Sequence, residues 1–180
     1  MQNNKLLSLF IMCCLGLYTQ VSKAQVSESD SLELVNFYYA TGGDNWSNNI
    51  GWLVSHVKFW EGITLTDDES AVKEIHFLSS AVGSNLVGEI PNLNLPNLEI
   101  LNLNSNQLTG EIPNFNNLIN LKHLVLYNNQ LTGEIPNFNL PSLLDLWLNN
   151  NQLTGNIPNF SNLFNLRLLA LHNKKLLHQC

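Results

Sequence analysis

The sequence predicts an α/β solenoid, a short right-handed superhelix with a parallel concave β-sheet and an N-terminal cap that is helical and aromatic. One phrase recurs: "LNLNSNQLTGEIPNF" at 101–115, "LVLYNNQLTGEIPNF" at 124–138 and "LWLNNNQLTGNIPNF" at 146–160. Gly88, Gly110, Gly133 and Gly155, which precede the Ile-Pro pairs, are 22, 23 and 22 residues apart. Such a period with regular leucines is typical of stacked turns that bury their apolar faces only against their neighbours.

Each unit follows one leucine pattern. The apolar residues of the unit "LPNLEILNLNSNQLTGEIPNFNN" point inward if the chain coils once per unit: Leu98, Leu101, Leu103, Leu108 and Ile112. Segment 101–103 is then a strand, paired in parallel with 124–126 and 146–148. Regular units begin at residues 95, 118 and 140, with a partial unit at 163, and the first repeat carries an insertion of about four residues in "LSSAVGS".

The first 24 residues have the pattern of a secretory signal. Lys5 provides the positive charge, 6–18 is an apolar run of 13 residues, and Ser22-Lys23-Ala24 fits a cleavage site. The run is too short to span a bilayer as a helix. A lipid-anchored Cys13 is disfavoured because Met12 stands where a small residue is needed. We therefore expect a signal at 1–24, a cap at 25–71, four to five repeats at 72–180, and a secreted or cell-surface protein.

The segment after the signal has no repeat period. Ser29 or Asp30 is the expected N-cap of a helix that Gly42 and Gly43 end, and its apolar residues are Leu32, Val35, Phe37, Tyr38 and Tyr39. Three of the four tryptophans follow within 43–65, and large aromatics suit a cap that buries the end of a solenoid. Strands are expected at 63–65 and 72–77. The "TDDES" turn between them lacks the spaced oxygen ligands of a calcium loop, so we expect a solvated turn.

The asparagines at one inward turn of each unit are interpreted as structural: Asn106, Asn129 and Asn151. An amide there donates to one backbone carbonyl and accepts from another N–H, satisfying groups that the parallel ladder has released. The following Thr-Gly provides a residue that tolerates unusual φ angles, and Ile-Pro an extended exit.

Charge and cysteine content limit the classes of partner that the chain can bind. With 14 acidic and eight basic residues the net charge is -6, which argues against nucleic acid. No metal or cofactor is predicted. Cys180 is the single cysteine outside the signal. The last unit has Lys174 in place of the asparagine and His178 in place of the glycine, so its edge should fray. We expect either a longer array or weak self-association through this C-terminal repeat, locked by Cys180.

The pattern "LxxLxLxxNxLTGxIPxF" resembles the plant-type leucine-rich repeat, in a slightly shorter unit. The preceding "NFYYATGGDNWSNNIGWL" and "FWEGITL" are similar to the N-terminal cap of bacterial and protist extracellular leucine-rich-repeat proteins. Plant caps hold a cysteine pair near a Trp-x-Gly motif, and 59–62 here has none nearby, so the resemblance is to the disulfide-free form. It implies a recognition scaffold whose concave sheet binds a protein, a peptide or a glycan.

The residues themselves indicate the same face, because strand side chains alternate between inward and outward. The candidate ligand-binding residues are the outward Asn102, Asn104, His123, Val125, Tyr127, Asp145, Trp147 and Asn149. Outward positions of the last unit are Leu168, Ala170 and His172. Tyr127 and Trp147 are expected one strand apart on a diagonal, as an aromatic anchor. The alternative is that these two aromatics merely cover the sheet.

Three features bear on functions other than simple ligand binding. His123 and Asp145 occupy equivalent positions in consecutive units, but no nucleophile or second carboxylate lies at the neighbouring outward positions, so no enzyme is predicted. The column of Thr109, Thr132 and Thr154 is similar to the flat arrays of ice-binding solenoids, over three units only. Inhibition of a secreted hydrolase is a function of some plant-type members, and the sequence does not distinguish it from other binding.

Overall fold

The computed structural model of the protein describes residues 25–77 and 84–172. This part of the chain is a solenoid of about four turns with a parallel sheet, as the sequence predicts. Its elements are helix α1 at Glu28–Ala40, and strands β1 at Ile63–Leu65, β2 at Val72–His76, β3 at Val87–Glu89, β4 at Ile100–Asn102, β5 at Gln107–Thr109, β6 at His123–Val125, β7 at Asp145–Trp147 and β8 at Leu168–Ala170. Short 3₁₀ turns lie at Gly43–Asn45 and Val57–Phe59.

Helix α1 begins earlier than the sequence predicts. Its N-cap is Ser27, whose hydroxyl accepts a hydrogen bond from the N–H of Asp30 at 3.0 Å and donates to Asp30 Oδ1 at 2.8 Å. The predicted caps Ser29 and Asp30 are wrong, since both lie within the helix. The other carboxylate oxygen of Asp30 accepts the N–H of Val72 at 2.9 Å, which joins the helix to β2. The helix ends as expected before Gly42, which has a left-handed φ of 72°.

A buried aromatic cluster follows the helix, and we call Trp46, Trp52 and Trp60 with Phe37 and Phe77 the N-terminal cluster. Trp52 is central to it, with its ring centroid 4.9 Å from that of Trp46 and 4.6 Å from that of Trp60. The indole N–H groups of the three tryptophans donate to the backbone carbonyls of Thr41, Glu61 and Ser55 at 2.8 Å each. Phe77, at the end of β2, packs 4.6 Å from Trp46, so the cluster adjoins the first turn of the solenoid.

The main sheet has the strand order β1-β2-β4-β6-β7-β8. Strands β1 and β2 are antiparallel and every later pair is parallel. Leu101, Leu124, Leu146 and Leu169 stack in register, which confirms the predicted pairing, although β4, β6 and β7 each begin one residue earlier than expected. The five predicted inward residues of the unit at 95–117 are all buried. Leu169 is 44% exposed, because no described strand lies beyond β8.

A second ladder, which the sequence did not predict, runs along the Thr-Gly segments. Strands β3 and β5 pair in parallel, and single bridges continue the ladder between Glu111 and Thr132 and between Glu134 and Thr154. The N–H of Thr132 donates to the carbonyl of Gly110, and that of Thr154 to the carbonyl of Gly133, both at 2.8 Å. Each turn is therefore tied to the next on two sides.

Several predictions concern residues outside the described part of the chain. These are the signal at 1–24, most of the insertion in "LSSAVGS", and the roles of Lys174, His178 and Cys180. Within 25–77 and 84–172, no helix is both long and apolar enough to cross a bilayer.

Candidate recognition site on the concave sheet

The outward side chains of the main sheet form one continuous surface, which we call the concave face. In each central strand the middle leucine is buried while the residues on either side are half-exposed. The strand register aligns two rows: Glu74, Ile100, His123, Asp145 and Leu168; and His76, Asn102, Val125, Trp147 and Ala170. Backbone hydrogen bonds beyond the strands, from Ser105 to Tyr127, Asn128 to Asn149 and Asn150 to His172, align a third row of Asn104, Tyr127, Asn149 and His172. All eight candidate ligand-binding residues therefore belong to one surface.

Tyr127 and Trp147 meet at the centre of the concave face. Their ring centroids are 6.1 Å apart with the planes at 48°. Because Trp147 is paired with Val125, Tyr127 lies on the diagonal, which is the arrangement expected from the sequence. Both side chains are half-buried. The indole N–H of Trp147 finds no acceptor among the described residues, in contrast to the three tryptophans of the N-terminal cluster.

His123 and Asp145 form a close pair in the neighbouring row. The distance from Nδ1 of His123 to Oδ2 of Asp145 is 2.7 Å, and the two side chains are 34% and 29% exposed. The outward side chains next to them are Ile100, Leu168 and Trp147, none of which is a nucleophile. The contact with His123 therefore holds the carboxylate of Asp145 in position.

The outward asparagines differ in how far their amides are already bonded. The Oδ1 atom of Asn102 accepts both the side-chain amide and the backbone N–H of Asn104, at 2.7 Å and 3.3 Å. Asn104 itself is buried, so among the candidate ligand-binding residues it offers little surface to a ligand. Asn149, which lies beside Tyr127 in the register, has a buried Oδ1 with no hydrogen-bond partner in the described structure. A buried acceptor without a donor is uncommon, and it places an unsatisfied polar atom next to the aromatic pair.

The three inward asparagines make one repeated set of bonds. The Oδ1 atom of Asn129 accepts the N–H of Leu108 at 3.1 Å, and its amide donates to the carbonyls of Leu103 at 2.9 Å and Leu126 at 3.1 Å. Asn106 and Asn151 repeat this arrangement in the adjoining turns. Their side chains are thus committed to the backbone of two consecutive units.

Comparisons with known proteins agree with this geometry. The model of the family "Leucine Rich repeats (2 copies)" matches residues 119–162. The solved structure of a pollen receptor kinase 3 is 32% identical with a TM-score of 0.60, and the match covers 79% of this chain and 70% of that one. The chain belongs to the leucine-rich-repeat family. No curated protein matches it.

Two further leucine-rich-repeat structures have similar folds. The BIR2 ectodomain from Arabidopsis thaliana is 29% identical with a TM-score of 0.65, and the match covers 85% of this chain and 83% of that one. The ectodomain of the receptor kinase GASSHO1/SCHENGEN3 from Arabidopsis thaliana, solved in complex with CASPARIAN STRIP INTEGRITY FACTOR 2, is 33% identical with a TM-score of 0.70. That match covers 82% of this chain and 18% of the receptor, so the chain spans less than a fifth of its length.

The side of the solenoid that carries the second ladder has its own regular columns. The hydroxyls of Thr109, Thr132 and Thr154 each donate to the carbonyl of a glycine in the preceding turn, at 3.3 Å. Glu111 and Glu134 line a shallow groove of about 640 Å³ on this side, together with asparagines and prolines. The groove lies outside the concave face. The threonine hydroxyls that suggested an ice-binding array therefore already donate to the backbone.

Asn128 is a residue whose role sequence reasoning missed, because it precedes Asn129 and looks like an exposed loop residue. Ser105, Asn128 and Asn150 have left-handed φ angles of 55°, 55° and 57°. Their side chains form a ladder, in which Asn128 donates to Ser105 at 3.3 Å and Asn150 donates to Asn128 at 2.7 Å. The asparagines at these positions could have indicated the left-handed φ angles, since asparagine tolerates that backbone better than other non-glycine residues do.

The acidic turn between β1 and β2 satisfies its own carboxylate. Hydrogen bonds from the hydroxyl of Thr66 and then from Ser70 lower the pKa of Asp68 to about 2. In the described residues, no three side chains of the types that bind metal ions come close enough to hold one. The turn is hydrogen-bonded within itself, which agrees with a solvated turn.

Proposed function

We propose that this protein is an extracellular recognition module that binds a protein or peptide ligand through its concave face. The observation that carries the proposal is the half-buried Tyr127–Trp147 pair at the centre of that face. Tyrosine and tryptophan are enriched among the residues that dominate binding energy, and such residues cluster near the centre of an interface. Trp147 combines a large apolar surface with a donor that the described residues leave unused.

The leucine-rich-repeat neighbours support the same interpretation. They are the BIR2 ectodomain and the ectodomain of a plant membrane receptor kinase, the latter solved in complex with CASPARIAN STRIP INTEGRITY FACTOR 2. The secretory pattern of residues 1–24 supports export of the chain, which would place it outside the cell or on its surface. A glycan ligand stays an alternative, because Asn102, Asn149 and Trp147 also suit sugar hydroxyls and sugar rings.

A binding experiment with matched variants tests the proposal. The chain, Trp147→Ala and Phe164→Ala are each used to capture partners from the extracellular medium of the source organism, and the affinity of the captured partner is then measured by calorimetry. Phe164 is the control, because it is 81% exposed and lies outside the concave face. We expect Trp147→Ala to weaken binding by about 2 kcal/mol or more, as for a central anchor residue. Phe164→Ala should leave the affinity unchanged.

The result also separates the remaining alternatives. Equal loss of affinity in the two variants, or none in Trp147→Ala, would remove the aromatic pair from the proposal. A captured hydrolase whose activity falls on binding would make the protein an inhibitor. Binding of ice crystals instead of a macromolecule, measured as inhibition of ice recrystallisation, would support the threonine column.

A further inference from the structure

The concave face is asymmetric in charge. None of the outward positions that the structure describes on its parallel strands is lysine or arginine, while Glu74 and Asp145 are acidic. The basic residues of these turns stand one position before the first row, at Lys73, Lys122 and Arg167. Of these, Lys122 is paired with Glu99 at 2.9 Å. The face thus offers carboxylates and aromatic rings to a ligand without a fixed positive charge among them.

Asp145 keeps one carboxylate oxygen free. Its Oδ2 is bonded to His123, but its Oδ1 has no partner among the described residues, and the side chain is 29% exposed. The contact with His123 fixes the carboxylate in one orientation. Trp147 lies two residues further along the same strand and on the same face, so the two side chains start about 6 to 7 Å apart.

The indole of Trp147 has unequal neighbours on its two sides. Tyr127, two residues after the end of β6, packs against it with the ring centroids 6.1 Å apart. Its register partner on β8 is Ala170, the smallest side chain in its row of the concave face. A planar group that enters from the β8 side can therefore stack on the ring while its edge faces Asp145.

We propose that the ligand inserts an arginine side chain here, with its guanidinium stacked on Trp147 and donating to Oδ1 of Asp145. Arginine fits because it is planar, permanently charged and able to stack and donate at the same time. Lysine offers a point charge without a stacking plane, and a sugar ring would use the indole without needing the carboxylate. The inference rests on the proposed function, since it names the ligand chemistry of the same face.

Nuclear magnetic resonance tests the arginine contact directly. The probe is N-acetyl-arginine N-methylamide, and the matched control is the citrulline analogue, which is nearly isosteric and uncharged. The indole N–H of Trp147 is the reporter, assigned by its loss in Trp147→Phe; the other three indoles donate to carbonyls in the N-terminal cluster. We expect the arginine probe to shift this signal with a Kd of about 1 to 10 mM, the scale for one small polar fragment. The citrulline probe should bind at least tenfold more weakly.

Two variants distinguish a specific contact with the Asp145 carboxylate from a general effect of negative charge on the probe. Asp145→Asn keeps the shape and an acceptor for His123, and should weaken the arginine probe about tenfold. Glu134→Gln removes one charge from the groove beside the second ladder. It should have no effect, because that groove lies outside the concave face. Equal binding of the arginine and citrulline probes, equal effects of the two variants, or no shift of the Trp147 signal would each overturn the inference.

These outcomes are distinguishable from failure of the proposed function. A captured partner that depends on Trp147 but tolerates Asp145→Asn would keep the concave face as the binding surface and reject the arginine contact. A glycan that shifts the Trp147 signal when the arginine probe does not would assign the face to carbohydrate.

Discussion

The N-terminal cluster and the concave aromatic pair use the same residue types with opposite consequences. Trp46, Trp52 and Trp60 are 3 to 5% exposed, and each indole N–H donates to a backbone carbonyl. Trp147 is half-buried, and its N–H has no acceptor among the described residues. An aromatic side chain whose surface and polar atom are both satisfied stabilises the fold, whereas one with an open face and an open donor keeps binding capacity for a partner.

The asparagines of two consecutive turns repeat this contrast. The amide of Asn129 bonds backbone groups of two consecutive units. Asn149 points to the other side of the sheet and has a buried Oδ1 atom with no partner among the described residues. Side chains that bond the backbone and side chains that face outward therefore lie on opposite sides of the sheet, which follows from the alternation of side chains along the chain.

The largest effect should come from the centre of the N-terminal cluster. We expect Trp52→Ala to lower the free energy of unfolding by about 3 to 5 kcal/mol, because it empties a site packed by five other rings in the described part of the chain. The matched change Trp147→Ala should cost less, about 1 kcal/mol, since its side chain is only half-buried. Urea unfolding followed by far-ultraviolet circular dichroism measures both. Similar losses from the two variants would contradict the division between the two regions.

An intermediate loss of stability is expected at the inward asparagine Asn129. Asn129→Ala should lower the free energy of unfolding by about 1 to 3 kcal/mol, because it leaves buried backbone groups of two units without partners. Asn149→Ala should stay within about 0.5 kcal/mol, as it removes an acceptor that has no donor. Thermal unfolding at one protein concentration compares the pair. If Asn149→Ala proved the more damaging, the outward asparagine would belong to the structural set.

The smallest loss of stability is expected at Asn128, where it distinguishes backbone strain from side-chain bonding. Its left-handed φ of 55° makes Asn128→Ala costly by about 1 kcal/mol, more than its exposed position in the sequence suggests. Asn128→Gly removes the same side-chain hydrogen bonds but adopts this backbone without strain, so its cost should be smaller. Chemical denaturation of the two variants separates backbone strain from lost hydrogen bonds. A larger loss in the glycine variant would show that the surface ladder matters more than the φ angle.

The sequence predicted the sheet and its inward leucines correctly because both depend on spacing along the chain. It also predicted the diagonal contact of Tyr127 and Trp147, since one unit of the repeat advances the chain by one strand. The start of helix α1 was predicted wrongly because Ser27, Ser29 and Asp30 all favour the N-cap position. In the structure Ser27 is the N-cap, and the carboxylate of Asp30 accepts the N–H of Val72. The boundaries at 24, 71 and 180 and the ligand-binding roles stay predictions.

By itself, the sequence determined the period of the solenoid, the stacking register and the side of the sheet to which each strand residue points. These properties repeat with the local pattern, and a local pattern is sufficient to set them. Only the tertiary structure decided the second ladder, the unpartnered oxygen of Asn149 and the free oxygen of Asp145. Each of these depends on how one turn meets the next at atomic distance, because hydrogen bonds require contacts of about 3 Å that residue spacing alone does not specify.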